Sequence, residues 1–324
     1  MLDISIRIVA GGELLLLLYT LYRLPQLYRI LVGTTLTIMV PWLGLGTLLG
    51  MVSTGLVWLR GQTNPMWDYL WLVTCLVPLI AVLGARSPQH RAWPFFVLMP
   101  LWVILWGPVL LPSVQGAAFH LEGPWLLMLL VVFVLGGGNV LGVPGGGTTL
   151  LHVMAAVTWS LSWAEVLPEH LRWDWLWHVL HTLGWGGRIH TWHVLLTQPI
   201  TGNRWTRLQQ LWLHFTALYG LVWSQRIRDK LMTMARRREC VAVLEVGGFH
   251  TPCEPSETEQ RFWEDHLHGL LRHFVQETWW QRYLPAAEPT ATEPSAAATE
   301  PIPRGWVAPD VVSSHDRLQQ TRHE

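Results

Sequence analysis

The chain has 324 residues, 51% of them hydrophobic and only 14% charged, against about 25% charged in an ordinary globular domain, which excludes a water-soluble fold. Acidic and basic side chains number 22 each, so neither a basic footprint for nucleic acid nor an acidic excess for a cationic partner exists. Lys230 is the sole lysine, which argues against Schiff-base chemistry and lysine-gripped phosphates.

Residues 30–59, 92–121 and 123–164 contain no Asp, Glu, Lys or Arg. A bilayer core of about 30 Å takes about 20 apolar helical residues. Five segments approach that length, at 4–22, 30–59, 67–84, 93–111 and 125–143. The second is long enough to kink at Pro41. Prolines at 78, 100 and 108 call for a packed bundle, in which neighbours satisfy the freed carbonyls. Two further segments, 149–167 with His152 and Glu165 and 208–223 with His214, either span as a pair or lie in the interface. The fold class is therefore all-α: a transmembrane helix bundle of five to seven spans, with a small cytoplasmic C-terminal region and a disordered tail.

Arginine sets the orientation, because short cytoplasmic loops retain positive charge. Arg23 and Arg29 follow the first span, and Arg86 and Arg91 the third, while the loop at 112–124 has no Arg or Lys. Alternation then puts the N-terminus outside and the stretch from Arg226 to Arg238 in the cytoplasm. The 22 tryptophans suit anchoring at the headgroup level. In domain terms, residues 1–223 form the membrane domain, including a Trp/His-rich interfacial segment at 165–207. Residues 224–284 form a juxtamembrane region, and 285–324 a tail.

In the juxtamembrane region, 240–246 reads as a short strand. Ser256 with Glu259 forms a capping box ahead of an amphipathic helix whose stripe holds Leu267, Leu270, Leu271, Phe274 and Thr278. The stripe needs a docking surface, so the helix at 256–284 and the bundle itself are the expected contacts to other membrane proteins. The tail repeats Glu-Pro with Ala and Thr and has too few large apolar groups to offset ordering entropy. The first helix reads as an uncleaved anchor, since a Met-Leu-Asp start has no basic n-region.

Among possible sites, His178 and His181 sit three apart, as do His190 and His193, with Gly184, Gly186 and Gly187 between the pairs. If the glycines permit a sharp turn, a helical hairpin would gather four imidazoles, a donor set for a transition metal or for haem. The competing reading is an interfacial amphipathic hairpin, which the interleaved tryptophans also fit. No cofactor is otherwise implied. Residues 142–149 have the glycine spacing of a phosphate loop, but Thr148 occupies the lysine position. The glycines there suit a helix stop and a broken re-entry instead. Glu13 falls inside the first span, where an ionisable group usually faces the bundle or a wet cavity. The spacing of Cys240, His250 and Cys253 matches no common zinc pattern.

Three functions remain. A noncatalytic component of a membrane assembly leads, since no catalytic constellation is visible, and it predicts no enclosed polar cavity. A transporter or channel would bring Glu13, His152 and His214 onto one polar path. A metal- or haem-binding membrane protein would use the four histidines at 178, 181, 190 and 193.

Overall fold

The fold comes from a computed structural model, which describes residues 2–86, 92–110, 119–167 and 174–285. The tail beyond 285, most of the loop at 112–124, Arg91 and Arg172 lie outside the described residues. The described chain is predominantly helical, as the composition requires. The helices are α1 (Leu2–Leu31), α2 (Met39–Arg60), α3 (Pro65–Ala81), α4 (Met99–Leu105), α5 (Gly123–Gly138), α6 (Gly146–Trp163), α7 (Asp174–Thr197) and α8 (Arg204–Arg237). A hairpin of β1 (Val243–Glu245) and β2 (Gly248–His250) follows, then α9 (Glu257–Leu271) and α10 (Glu277–Trp280).

Among the described residues three stretches are long and apolar enough to cross a membrane: Ser5–Leu31, Thr35–Arg60 and Pro65–Gly84. Shorter apolar helices occupy Pro94–Leu110 and Gly123–Gly138. Their ends follow local chemistry. The α1–α2 turn uses Gly33 at φ +88°, and the Thr34 hydroxyl accepts from the Leu36 N–H as the chain restarts. Pro41 therefore falls in the first turn of α2, where no intrahelical N–H is needed, and the expected mid-helix kink is instead a helix start. Gly61 ends α2 at φ +70°, and Asn64 caps α3 ahead of Pro65.

Helix α7 packs against α1 and α6, while α2 packs against both α1 and α3. The segment containing Gly184, Gly186 and Gly187 is one uninterrupted helix, with none of the three at positive φ. Their missing side chains serve packing rather than turning. A Cβ on Gly184 would lie 2.6 Å from the His152 backbone nitrogen in α6, and one on Gly186 would lie 3.0 Å from Leu16 in α1. Small residues that let helix backbones approach are the usual device inside a membrane. Tryptophan behaves differently from the anchoring expectation as well. Trp71, Trp159, Trp192, Trp212, Trp263 and Trp279 are fully buried, and Trp58 and Trp175 are exposed.

The segment at 208–223 belongs to α8, which is amphipathic and much less apolar than α1 to α3. It breaks at Gly220, where φ is +75° and ψ is −173°. Asn139, just past α5, fills the break. Its carbonyl accepts from the Leu221 N–H at 2.6 Å, its Oδ1 accepts from the Val222 N–H at 2.9 Å, and its Nδ2 donates to the Tyr219 carbonyl at 3.4 Å. The Trp223 indole donates to the Val82 carbonyl at 2.9 Å, and the Trp192 indole donates to the Ala217 carbonyl at 3.1 Å. The glycine run at 142–147 is thus an ordinary turn between α5 and α6, with Gly142 and Gly145 at positive φ.

Ser256 caps α9 by accepting from the Glu259 N–H, as its sequence predicts. The expected single helix over 256–284 is two, α9 and α10, and of its expected stripe Leu267, Leu271 and Phe274 are buried in the same core as Trp212 and Phe249, Leu270 is partly buried and Thr278 is exposed. Phe274 and Gln276 bond to the α1–α2 turn, through Thr35 N–H to the Phe274 carbonyl and Gln276 N–H to the Gly33 carbonyl. Arg204 grips Glu264 with two N–H···O bonds of 2.5 Å, which raises the Arg204 pKa above its ordinary value. The 204–285 region therefore sits over the C-terminal ends of α1, α3 and α5.

Candidate functional site

A single face of α7 carries His178, His181, Trp185, Arg188 and Trp192, at alternating spacings of three and four, and all five are buried. That spacing keeps one stripe in register along a helix. It covers a rise of about 21 Å at 1.5 Å per residue. Apolar groups would be expected on a face that packs inward. Here three of the five, His178, His181 and Arg188, are ionisable, and each of the five meets a partner from another helix.

At the N-terminal end of the stripe, His178 lies between two carboxylates. Its Nε2 is 3.2 Å from Asp68 Oδ1 in α3, and its Nδ1 is 4.0 Å from Glu13 Oε2 in α1. The Ser53 hydroxyl of α2 donates to the same Asp68 oxygen. Asp68 Oδ2 has no hydrogen-bond partner among the described residues, and Asp68 is wholly buried. Isolated buried charge is very unfavourable, so a shared network of two acids, an imidazole and a hydroxyl is what makes this placement tolerable.

A cleft leads to the cluster. It has a volume of about 670 Å³ and is walled by Ile6, Val9, Ala10, Val57 and Trp175, with Glu13 and His178 in its lining. Ser5, Gln62 and Thr63 also line it; they belong to the start of α1 and the α2–α3 loop, at the end of the bundle opposite the 204–285 region.

One turn further along α7, His181 packs against His152 of α6 with ring centroids 4.2 Å apart and ring planes tilted by 37°. Trp71 approaches His181 edge-on at 4.4 Å. Neither ring nitrogen of His152 or of His181 has a hydrogen-bond partner among the described residues. Next, the Trp185 indole donates to the Thr47 hydroxyl at 3.1 Å. Arg188 then donates to the Thr149 hydroxyl, and its guanidinium lies 4.3 Å from the centroid of the Trp192 ring. No carboxylate pairs with Arg188 among the described residues. The stripe thus runs from a negatively biased end at Glu13 and Asp68 to a cationic end at Arg188.

Of the residues singled out in the sequence, Glu13, His152, His178 and His181 come together around this stripe. His214 does not; it lies in α8 and its Nδ1 is 2.7 Å from the Tyr283 hydroxyl. His190 and His193 face α1 instead, where His190 Nδ1 is 2.9 Å from the Tyr19 hydroxyl and Arg23 donates to His193 Nε2 at 3.3 Å. A straight helix places His190 about 18 Å beyond His178, so the four imidazoles do not gather. Among the described residues no group of three or more His, Cys, Asp or Glu side chains could hold a metal ion.

Sequence reasoning missed Asp68, Ser53 and Arg188. Asp68 follows an Asn-Pro helix start, where an acid ordinarily balances the helix dipole at the surface. Ser53 is one hydroxyl in an apolar run. Arg188 is legible only through the three-four spacing of the whole stripe, which the search for paired histidines obscures. Comparisons with protein-family models, with curated proteins and with solved structures yield no match, so the reading of this site rests on its geometry alone.

Proposed function

We propose that the chain is a cation-handling membrane transporter, with α1, α2, α3, the apolar stretch Pro94–Leu110, α5, α6 and α7 as seven crossings and the α7 stripe as its path. The observation that carries this reading is the Glu13–His178–Asp68 cluster at the inner end of a cleft. Ionisable groups at membrane depth commonly mark substrate, ion or proton pathways. The cleft is open and largely apolar, so what favours transport over a passive assembly component is the pair Glu13 and His178 in its lining. In this reading the seventh crossing is α7 rather than 208–223, so Arg188 sits within the bundle while Arg204 and Arg207 stay with the basic C-terminal region. The positive-inside rule then keeps the 204–285 region cytoplasmic and opens the cleft to the outside. The imidazoles of His181 and His152 provide proton acceptors beyond the carboxylates, and Arg188 opposes leakage of cations to the far side.

The test is flux in reconstituted liposomes loaded with a pH-sensitive dye and driven by an imposed potential. The expected result is a protein-dependent proton flux that Glu13→Gln and His178→Ala both abolish. Flux no greater than in protein-free liposomes, or flux untouched by Glu13→Gln, would overturn the proposal.

A further inference from the structure

The walls of the cleft point to a narrower substrate class. We infer that the cleft binds an organic ammonium ion on an apolar body, with the cationic nitrogen against Glu13 and the body between Ile6, Val9, Ala10 and Val57. The inference rests on the transport reading for its purpose but not for its geometry. A volume of about 670 Å³ falls inside the usual range of about 300–1,000 Å³ for small-molecule sites.

A bare metal cation needs several oxygen donors converging on one point, whereas the described lining offers a single carboxylate with mostly apolar walls of Ile6, Val9, Ala10 and Val57. Among the described residues Glu13 is the one carboxylate in the lining, and neither Lys nor Arg lines the cleft. A second carboxylate, Asp68, stands behind His178 at 3.2 Å, so the two acids face a single imidazole. The bias is toward a positive guest. The Trp175 ring, about half exposed, belongs to the same lining and adds the aromatic face that favours ammonium ions over neutral groups. Polar Gln62 and Thr63 in the lining suit entry from water.

The experiment is equilibrium dialysis of the purified full chain with 1-naphthylmethylamine, cationic at pH 7.5, and with its neutral isostere 1-naphthylmethanol, both read by naphthalene fluorescence. The amine should bind at least about tenfold more tightly than the alcohol, as for a charge-assisted hydrogen bond in a shielded site. Glu13→Gln should remove that preference. His193→Ala, on the α1-facing side of α7 away from the cleft, should leave it intact. If Glu13→Gln does not fold, Val9→Trp, which fills the wall without touching a charge, must abolish binding of the amine. Equal binding of amine and alcohol, or unchanged amine binding in either cleft variant, would overturn the inference.

An aminophospholipid headgroup carries the same ammonium. Nanodiscs of phosphatidylglycerol with and without phosphatidylethanolamine separate the sources, since displacement of the amine by the second lipid assigns the site to a headgroup and retained binding assigns it to a free amine. Amine binding without liposome flux would sink the transport reading alone, and flux without amine binding would sink this inference alone.

Discussion

Replacing Gly220 by alanine tests how the C-terminal region is fastened to the helix bundle. At φ +75° and ψ −173°, Gly220 occupies a backbone region open essentially to glycine only, where another residue costs about 1–3 kcal/mol. The added Cβ would also lie 2.4 Å from the Asn139 carbonyl oxygen and 2.6 Å from Asn139 Nδ2. Asn139 would have to leave the break, losing its bonds to Leu221, Val222 and Tyr219, at about 1 kcal/mol each. The total loss is roughly 4–6 kcal/mol, a large part of the stability of a typical domain.

Asn139→Ala alone keeps the backbone bond and should lose about 1–3 kcal/mol. Because Gly220→Ala already expels Asn139, the double variant should resemble Gly220→Ala, with an interaction energy of about 1–3 kcal/mol in magnitude. The assay is equilibrium unfolding in mixed micelles with increasing sodium dodecyl sulfate, followed by circular dichroism. A Gly220→Ala protein within about 0.5 kcal/mol of the parent, or full additivity of the two substitutions, would refute the reasoning.

Two further outcomes follow from packing and charge. Gly184→Ala should destabilise by about 1–3 kcal/mol, since its Cβ meets the His152 backbone at 2.6 Å, whereas Gly12→Ala should be neutral or stabilising because nothing lies within 4 Å of that position; the same unfolding assay ranks them, and equal effects would contradict the close approach of α6 and α7. Partial burial, then Arg86, Arg272 and Lys230, hold the His273 imidazole below its ordinary value, so the folded protein takes up its proton less readily than the unfolded chain. Stability is then full above the unfolded pKa of about 6.5 and falls as pH drops from there toward the lower folded value; His273→Gln should flatten that part of the unfolding-midpoint profile between pH 7.5 and 5, and an unchanged slope would contradict the assignment.

Apolar length was the most legible property. The charge-free runs mark α2, α4, α5 and α6, and the Ser256 cap marks the start of α9 to the residue. Tertiary context decided the rest. Glycines between histidines read equally as turn or as close packing, and only the presence of the His152 backbone beside Gly184 selects packing. The stripe of α9 correctly announces a docking surface, but the surface is the chain's own α8. Within the site, Glu13 was visible because it is alone in an apolar run. Asp68 was hidden by a position at a helix start that usually faces water, and the α7 stripe by mixing histidine, tryptophan and arginine on one face.

The most direct test of the central claim, that the buried cluster is reached from the end of the bundle away from the 204–285 region, is one-sided thiol labelling. The protein would carry Cys75→Ala and Cys240→Ser, keep the exposed Cys253 as an internal reference in the C-terminal region, and be compared with the same protein bearing Glu13→Cys. A membrane-impermeant maleimide applied to intact cells or to inverted vesicles should modify position 13 and Cys253 from opposite sides. Modification of both from the same side would contradict the account.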